Sequence, residues 1–202
     1  MDFNFILCNG LSKSYQFLIY PGFNLMAEID NQVRLENYLQ VLVGLPLSIA
    51  RNAADMKVFH FGTIRPHPSG RGTVGAYALH VQCPWRFVDE KTVITGTSDR
   101  FVESAEGTST NDDDPKSGSL QLIKIASLLK GYDAETNSFV NATKKLLVIA
   151  AKTDSYGGAD LLLSGGYRLQ VFPDGSIGED WRFVELQGRH VVIEGGRVQV
   201  DE

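Results

Sequence analysis

The spacing of apolar positions changes several times along this chain, and each change predicts an element. Val33, Leu35, Tyr38, Leu39, Leu42 and Val43 recur at helical intervals after Asn31, a residue suited to an N-cap, until Gly44-Leu45-Pro46 interrupts them. Leu47, Ile49, Ala50, Ala53 and Ala54 resume a helical stripe beyond Pro46, which predicts an N-terminal helical hairpin or one kinked helix. Upstream, residues 3–30 mix aromatics with Asn9-Gly10 and Pro21-Gly22, the signature of short strands joined by turns.

From Met56 to Ile64 the chain reads as a strand, and a Pro- and Gly-rich loop follows to Gly72. Beyond Thr73 the period is two: Tyr77, Leu79, Val81 and Cys83 face one way, Ala78, His80 and Gln82 the other. Trp85–Val88 and Thr92–Thr95 continue as strands around the turn Asp89-Glu90-Lys91. Residues 103–118 are Ser, Thr, Gly and acids, including Asp112-Asp113-Asp114, and predict a solvated loop or linker. Leu120 to Leu129 suits one further short helix, and strands broken by glycine pairs run from about Lys145 to the end. The fold class is therefore α+β with antiparallel β-meanders.

The chain also echoes itself. Gly75-Ala76-Tyr77-Ala78-Leu79-His80-Val81 is matched by Gly165-Gly166-Tyr167-Arg168-Leu169-Gln170-Val171. Trp85-Arg86-Phe87-Val88 is matched by Trp181-Arg182-Phe183-Val184, and Val93-Ile94-Thr95-Gly96 by Val192-Ile193-Glu194-Gly195. The expected domain is single, over 1–202, with a first copy at about 73–100, the acidic loop at about 103–118 and a second copy at about 145–200. Each copy is expected to form a three-stranded meander, the two pairing face to face or sharing one sheet.

Composition narrows the classes. The 202 residues are 43% hydrophobic, enough for a packed core, and carry 24 acidic against 19 basic side chains for a net charge of -5. That balance, without a long basic run, excludes a general nucleic-acid binder. No stretch approaches the ~20 apolar residues of a spanning helix, so no membrane partner is expected. Met1–Cys8 lacks the basic flank of an export signal, and Cys8 and Cys83 stand far apart, which points to a reducing, cytoplasmic compartment. Outside an export route, Asn141-Ala142-Thr143 has no meaning as a glycosylation acceptor.

Little of the sequence carries chemistry. Gly70-Arg71-Gly72-Thr73-Val74-Gly75 has the letters of a dinucleotide fingerprint but leads from a loop into a strand, where no helix N-terminus can meet a pyrophosphate. His80 and Cys83 are three apart on a strand and point to opposite faces, and Asp112–Asp114 lack a calcium ligand ladder; no metal and no cofactor is expected. The catalytic candidates are His60, His80 and Asp99, which act together only if the fold makes them converge. The binding candidates are Trp85 and Trp181 as walls of a groove and Arg86 and Arg182 as a guanidinium pair for a carboxylate or phosphate.

Gly44–Leu47, Arg51–Met56, Phe59–Gly62 and Tyr77–Arg86, together with Leu169–Gly175, Trp181-Arg182 and His190–Val192, resemble an uncharacterised family of small bacterial hypothetical proteins. The likeness covers roughly residues 40–100 and 146–196 and implies no activity, cofactor or catalytic residue. The ending Phe172-Pro173-Asp174 to Trp181-Arg182 is also similar to small acidic immunity proteins of bacterial toxin systems, which implies a protein partner. Two readings follow. One is a non-catalytic cytoplasmic binding protein whose acidic surface meets a basic protein partner. The other is a small enzyme or ligand-binding domain with its site between the two β copies, built on His60, His80, Arg86 or Asp99. A homodimer is compatible with either.

Overall fold

The computed structural model describes residues 25–70, 72–103, 119–130, 132–133, 138–139 and 146–201. The expected N-terminal strands over residues 3–24, Cys8, most of the acidic loop and Asn141 lie outside the described residues. The architecture is α+β and mostly antiparallel sheet. Helix α1 (Leu25–Leu39) leads into β1 (Pro46–Ala53), β2 (Met56–Phe61), β3 (Arg65–Pro66), β4 (Thr73–Val74), β5 (Tyr77–Val81), β6 (Trp85–Val88) and β7 (Val93–Gly96). Helix α2 (Leu120–Lys130) precedes β8 (Tyr132–Asp133), β9 (Ser138–Phe139), β10 (Leu146–Thr153), β11 (Ala159–Leu163) and β12 (Arg168–Val171). Strands β13 (Glu179–Glu185), β14 (His190–Glu194) and β15 (Arg197–Asp201) complete the order.

Two expectations near the N-terminus need correction. Helix α1 starts at Leu25, six residues before Asn31, so residues 25–30 are not strand. The helical hairpin does not form: Pro46–Ala53 is strand, paired with β2 from Leu47↔Phe61 to Ala53↔Met56. A bulge between Leu47 and Ile49 shifts the two-residue alternation, so Leu47, Ala50 and Asn52 face inward opposite Phe61, Phe59 and Lys57. That phase slip, with a polar Asn at an inward position, gave the segment its helical look. The β1–β2 turn is two residues long, and Ala54 occupies its left-handed position at φ 54°. Helix α1 buries Leu35 and Leu39, and Leu42 follows them in a 3-10 turn, while Val33 and Val43 remain exposed.

Eleven of the described strands are hydrogen-bonded in the order β15-β14-β13-β5-β2-β1-β10-β11-β12-β6-β7. Strands β2 and β6 are five places apart in it, which in a flat sheet is about 24 Å. The rings of Phe59 on β2 and Trp85 on β6 are nevertheless 5.0 Å apart, edge to face, and Phe59 meets Phe87 at 5.8 Å. The sheet therefore folds over on itself. One layer runs from β15 to β1, the other from β10 to β7, and the core between them holds Phe59, Phe61, Leu79, Phe87, Leu161, Leu169 and Trp181.

The fold-over occurs at β1 and β10, which share only Pro46↔Leu147 and Leu47↔Leu146 before they splay apart. Each helix then fills a gap that the splay opens. Gln40 Nε2 donates to Ala151 O and Gln32 Nε2 to Thr153 O, so α1 and the 3-10 turn after it supply hydrogen bonds that β10 no longer receives from a strand. Across the molecule, Gln121 Nε2 at the start of α2 donates to Gly96 O at the end of β7.

The strands of the two echoing segments do not form separate meanders. Strand β5 bonds β2 and β13, and β12 bonds β11 and β6, so the first strand of each segment sits beside the second strand of the other.

Candidate functional site

The residues singled out in the sequence divide between the core and the two outer faces. Trp181 is fully buried and its indole N–H donates to Gly157 O at 2.8 Å. Trp85 is packed against Phe59 and Phe87. Both tryptophans are packed core residues, so they wall no open groove between the layers. Their neighbours Arg86 and Arg182 point outward from opposite layers, because side chains alternate along a strand and the layers face each other through the tryptophans. Arg86 Nε donates to Gln170 Oε1 at 2.8 Å and its guanidinium lies over the Phe172 ring. Arg182 is clamped bidentately by Glu179, which lowers the Glu179 pKa chiefly through that hydrogen bond. No single anion reaches both guanidinium groups.

His60 and His80 share the outer face of the β15–β1 layer as diagonal neighbours, since His60 is opposite Ala78 and His80 opposite Val58. His60 is 5% exposed. Its Nε2 accepts from Arg51 Nε at 3.2 Å, and Gly75 N–H faces its Nδ1 at 3.3 Å. Burial first, and the Arg51 charge second, push its pKa down to about 4. The pKa of His80 is also lowered, by burial and by Arg182 opposite it, with Glu179 opposing. A neutral His60 that already serves as Arg51's acceptor is committed to structure. Asp99 sits elsewhere, in the 3-10 turn after β7, where it accepts from Thr95 Oγ1 at 2.9 Å and faces Lys124 of α2. The fold therefore brings the two histidines together and leaves Asp99 apart.

Sequence reasoning missed Lys57. It is an inward residue of β2, 3% exposed, with Nζ donating to Asn52 Oδ1 at 2.9 Å and Gln121 Oε1 at 3.1 Å. Its ammonium also lies 5.8 Å from the centre of the Trp85 ring. The signal was the break of alternation at Lys57-Val58-Phe59, where a charged residue takes an inward place. The adjoining cavity, bounded by Arg100, Cys83 and Thr97, is about 30 Å³. That is room for a water, an order of magnitude below the ~300 Å³ of a small substrate site. Among the described residues no group of three or more His, Cys, Asp or Glu could hold a metal ion, and no helix is long and apolar enough to cross a membrane.

Cys83 borders the same cavity, and burial with the nearby Asp180 pushes its thiol up to about 12. Against an ordinary thiol at 9.0, that lowers the thiolate fraction at neutral pH about a thousandfold. In a Cys8→Ser variant, Cys83 is expected to ignore Ellman's reagent at pH 8 until denaturant is added. Prompt, stoichiometric labelling of the native protein would contradict this.

Two exposed apolar side chains lie on connections at one end of the sandwich: Tyr156 between β10 and β11, 71% exposed, and Ile177 between β12 and β13, 88% exposed. Asp154 Oδ1 holds the first turn by accepting Tyr156 N–H and Gly158 N–H at 2.9 and 2.8 Å. The buried Asp180 holds the second, with Oδ1 accepting from Asp174 N–H and Gly175 N–H. A shallow cavity of about 220 Å³ adjoins the turns, lined by Asp154, Asp160, Gln170, Phe172 and Lys152 among others.

No protein-family model matches the chain, and neither a curated protein nor a solved structure is significantly similar to it.

Proposed function

We propose that this chain is a non-catalytic binding protein of the bacterial cytoplasm, of the immunity type, whose partner is a basic protein. The observation that carries the reading is the filled interior: the space between the echoing strands, where an enzyme's site was expected, is occupied by Trp85, Trp181 and the phenylalanines. What the molecule offers instead is surface, with Asp154 and Asp174 exposed and in no ion pair among the described residues. Such carboxylates raise the encounter rate with a basic partner and make binding weaken with salt. The test is immobilised full-length protein challenged with lysate at low salt, followed by purification of any retained polypeptide and calorimetric titration. The expected result is a basic protein binding one to one, with affinity falling as salt rises. A column that retains nothing basic, or binding indifferent to salt, would overturn the reading.

We also infer that the two echoing segments are copies of one ancestral unit that exchanged their first strands. The registers support this. Trp181, Arg182 and Phe183 lie opposite Val81, His80 and Leu79, while Trp85, Arg86 and Phe87 lie opposite Val171, Gln170 and Leu169. Gln82 N–H donates to Asp180 O, and Phe172 N–H donates to Pro84 O, at equivalent places before each tryptophan.

A further inference from the structure

The long sheet ends on β7 at one side and on β15 at the other. Helix α2 packs along β7 and Gln121 Nε2 takes Gly96 O, so that edge is covered. No described strand bonds the outer edge of β15. Nor does β15 carry the devices that blunt an edge: Arg197-Val198-Gln199-Val200-Asp201 contains no Pro or Lys, and its five pairs with β14 run without a bulge. Val198 and Val200 are half-buried against the core to which Leu35 and Leu39 of α1 also belong, while Arg197 and Gln199 are exposed.

The β14–β15 turn fixes which backbone groups face that edge. Gly195 and Gly196 have φ of 54° and 73°, a two-residue turn with both central residues left-handed, and Glu194↔Arg197 is the pair that closes it. The closing pair exchanges both its N–H···O bonds, and along an antiparallel ladder such pairs alternate with unbonded ones. Arg197, Gln199 and Asp201 therefore spend their backbone groups on β14. Val198 and Val200 direct theirs outward.

A second β15, laid antiparallel about a twofold axis at Gln199, meets those groups with its own. Val198 then pairs with the partner's Val200, and Val200 with the partner's Val198. Arg197 comes opposite the partner's Asp201, and Asp201 opposite the partner's Arg197. The rows continue into both sheets, because Glu194 pairs with Arg197 and His190 with Asp201. Each row reads Glu194 and Arg197 of one copy, then the partner's Asp201 and the partner's His190, so no like charges are set side by side. Moving the axis to Val198 would set Arg197 against the partner's Gln199, and moving it to Val200 would set Asp201 there, so either shift loses both charge pairs.

We infer that β15 is the interface of a homodimer, in which two copies join edge to edge into one continuous antiparallel sheet through the register centred on Gln199. The occupant is a second copy because the edge is its own complement: basic, apolar, polar, apolar, acidic. A five-residue strand pair buries a small area, so the dimer forms and dissociates with concentration. This interface goes beyond the basic-partner reading, and neither depends on the other.

The test is sedimentation velocity of the full chain from about 5 to 500 µM, with amide hydrogen exchange read at both ends of that range. A monomer–dimer equilibrium is expected, weakening severalfold between about 50 and 500 mM salt. The amides of Val198 and Val200 should exchange more slowly as concentration rises, while that of Gln199, already bonded to β14, stays the same. Arg197→Asp and Asp201→Arg each set like charges opposite one another on both sides of the axis. Each is expected to weaken dimerisation about tenfold or more, and the variant carrying both changes to return to within about threefold of wild type. A chain that stays monomeric across the range, a dimer that leaves the Val198 and Val200 amides unprotected, or a double variant no tighter than the single ones would overturn the proposal.

Discussion

Opened between residues 104 and 118, the chain is expected to give two fragments that do not fold alone and fold together when mixed. The first fragment carries β1, β2, β5, β6 and β7, the second β10 to β15. Neither set makes a layer. In one layer β5 from the first fragment lies between β2 and β13, and in the other β6 pairs β12 from the second. A lone first fragment would expose Phe59, Phe61, Trp85 and Phe87, whose burial is worth about 2 kcal/mol each. The cut itself does little damage, because Glu103 bridges Ser119 and Leu120 N–H donates to Val102 O at 2.9 Å, so the new ends lie side by side. What separation removes is the high effective concentration of one half for the other, so stability becomes dependent on protein concentration. Circular dichroism and sedimentation check this: a one-to-one complex with a cooperative melt is expected, and either fragment melting cooperatively alone contradicts it.

Much of this fold is legible in the sequence wherever one face of a strand is buried. The alternation of Tyr77, Leu79 and Val81, and of Trp85 and Phe87, assigned inward faces that the layers keep. The helix at Leu120 was legible for the same reason, since its apolar stripe matches one period. What could not be read is what depends on distant partners. The bulge after Leu47 is a local slip whose phase is set by β2, and it made a strand look helical. The pairing of β5 with β13 and of β12 with β6 leaves no local mark either, because the pattern of a strand does not depend on which neighbour it bonds. The candidate site was less legible still. Arg86 and Arg182 echo each other in sequence, yet the fold-over that packs their tryptophans together drives the guanidinium groups apart. The approach of the Tyr156 turn to Gly196 and of Ser176 to Gly195 has no local signal, because these contacts form only in three dimensions.

Stability is expected to fall by roughly 2 to 3 kcal/mol between pH 7.5 and pH 4.5 because of His60. Its pKa is about 4 in the native protein against 6.5 for an ordinary histidine, so between those values the unfolded chain binds a proton that the folded one refuses. The stabilisation is fully present above pH 6.5 and is lost as pH falls toward 4. The cause is geometric: the ring is buried, Arg51 Nε lies 3.2 Å from Nε2, and Gly75 N–H faces Nδ1. An imidazolium donates at both nitrogens and would face a donor at each. Gly75 is packed closely on β2, where a Cβ would lie 2.5 Å from Phe61 O. His80, also lowered, adds loss in the same direction. Glu179 acts lower still: its pKa is depressed below 4.5 by Arg182, so its contribution is present above that value and disappears only at more acid pH. The interval from 6.5 to 4.5 therefore isolates the histidines. Urea unfolding across it should give a steep decline in wild type. In His60→Gln, whose side-chain oxygen can still accept from Arg51 but cannot titrate, the profile should be much flatter with a lower plateau at pH 7.5. An unchanged slope in that variant would place the acid sensitivity elsewhere.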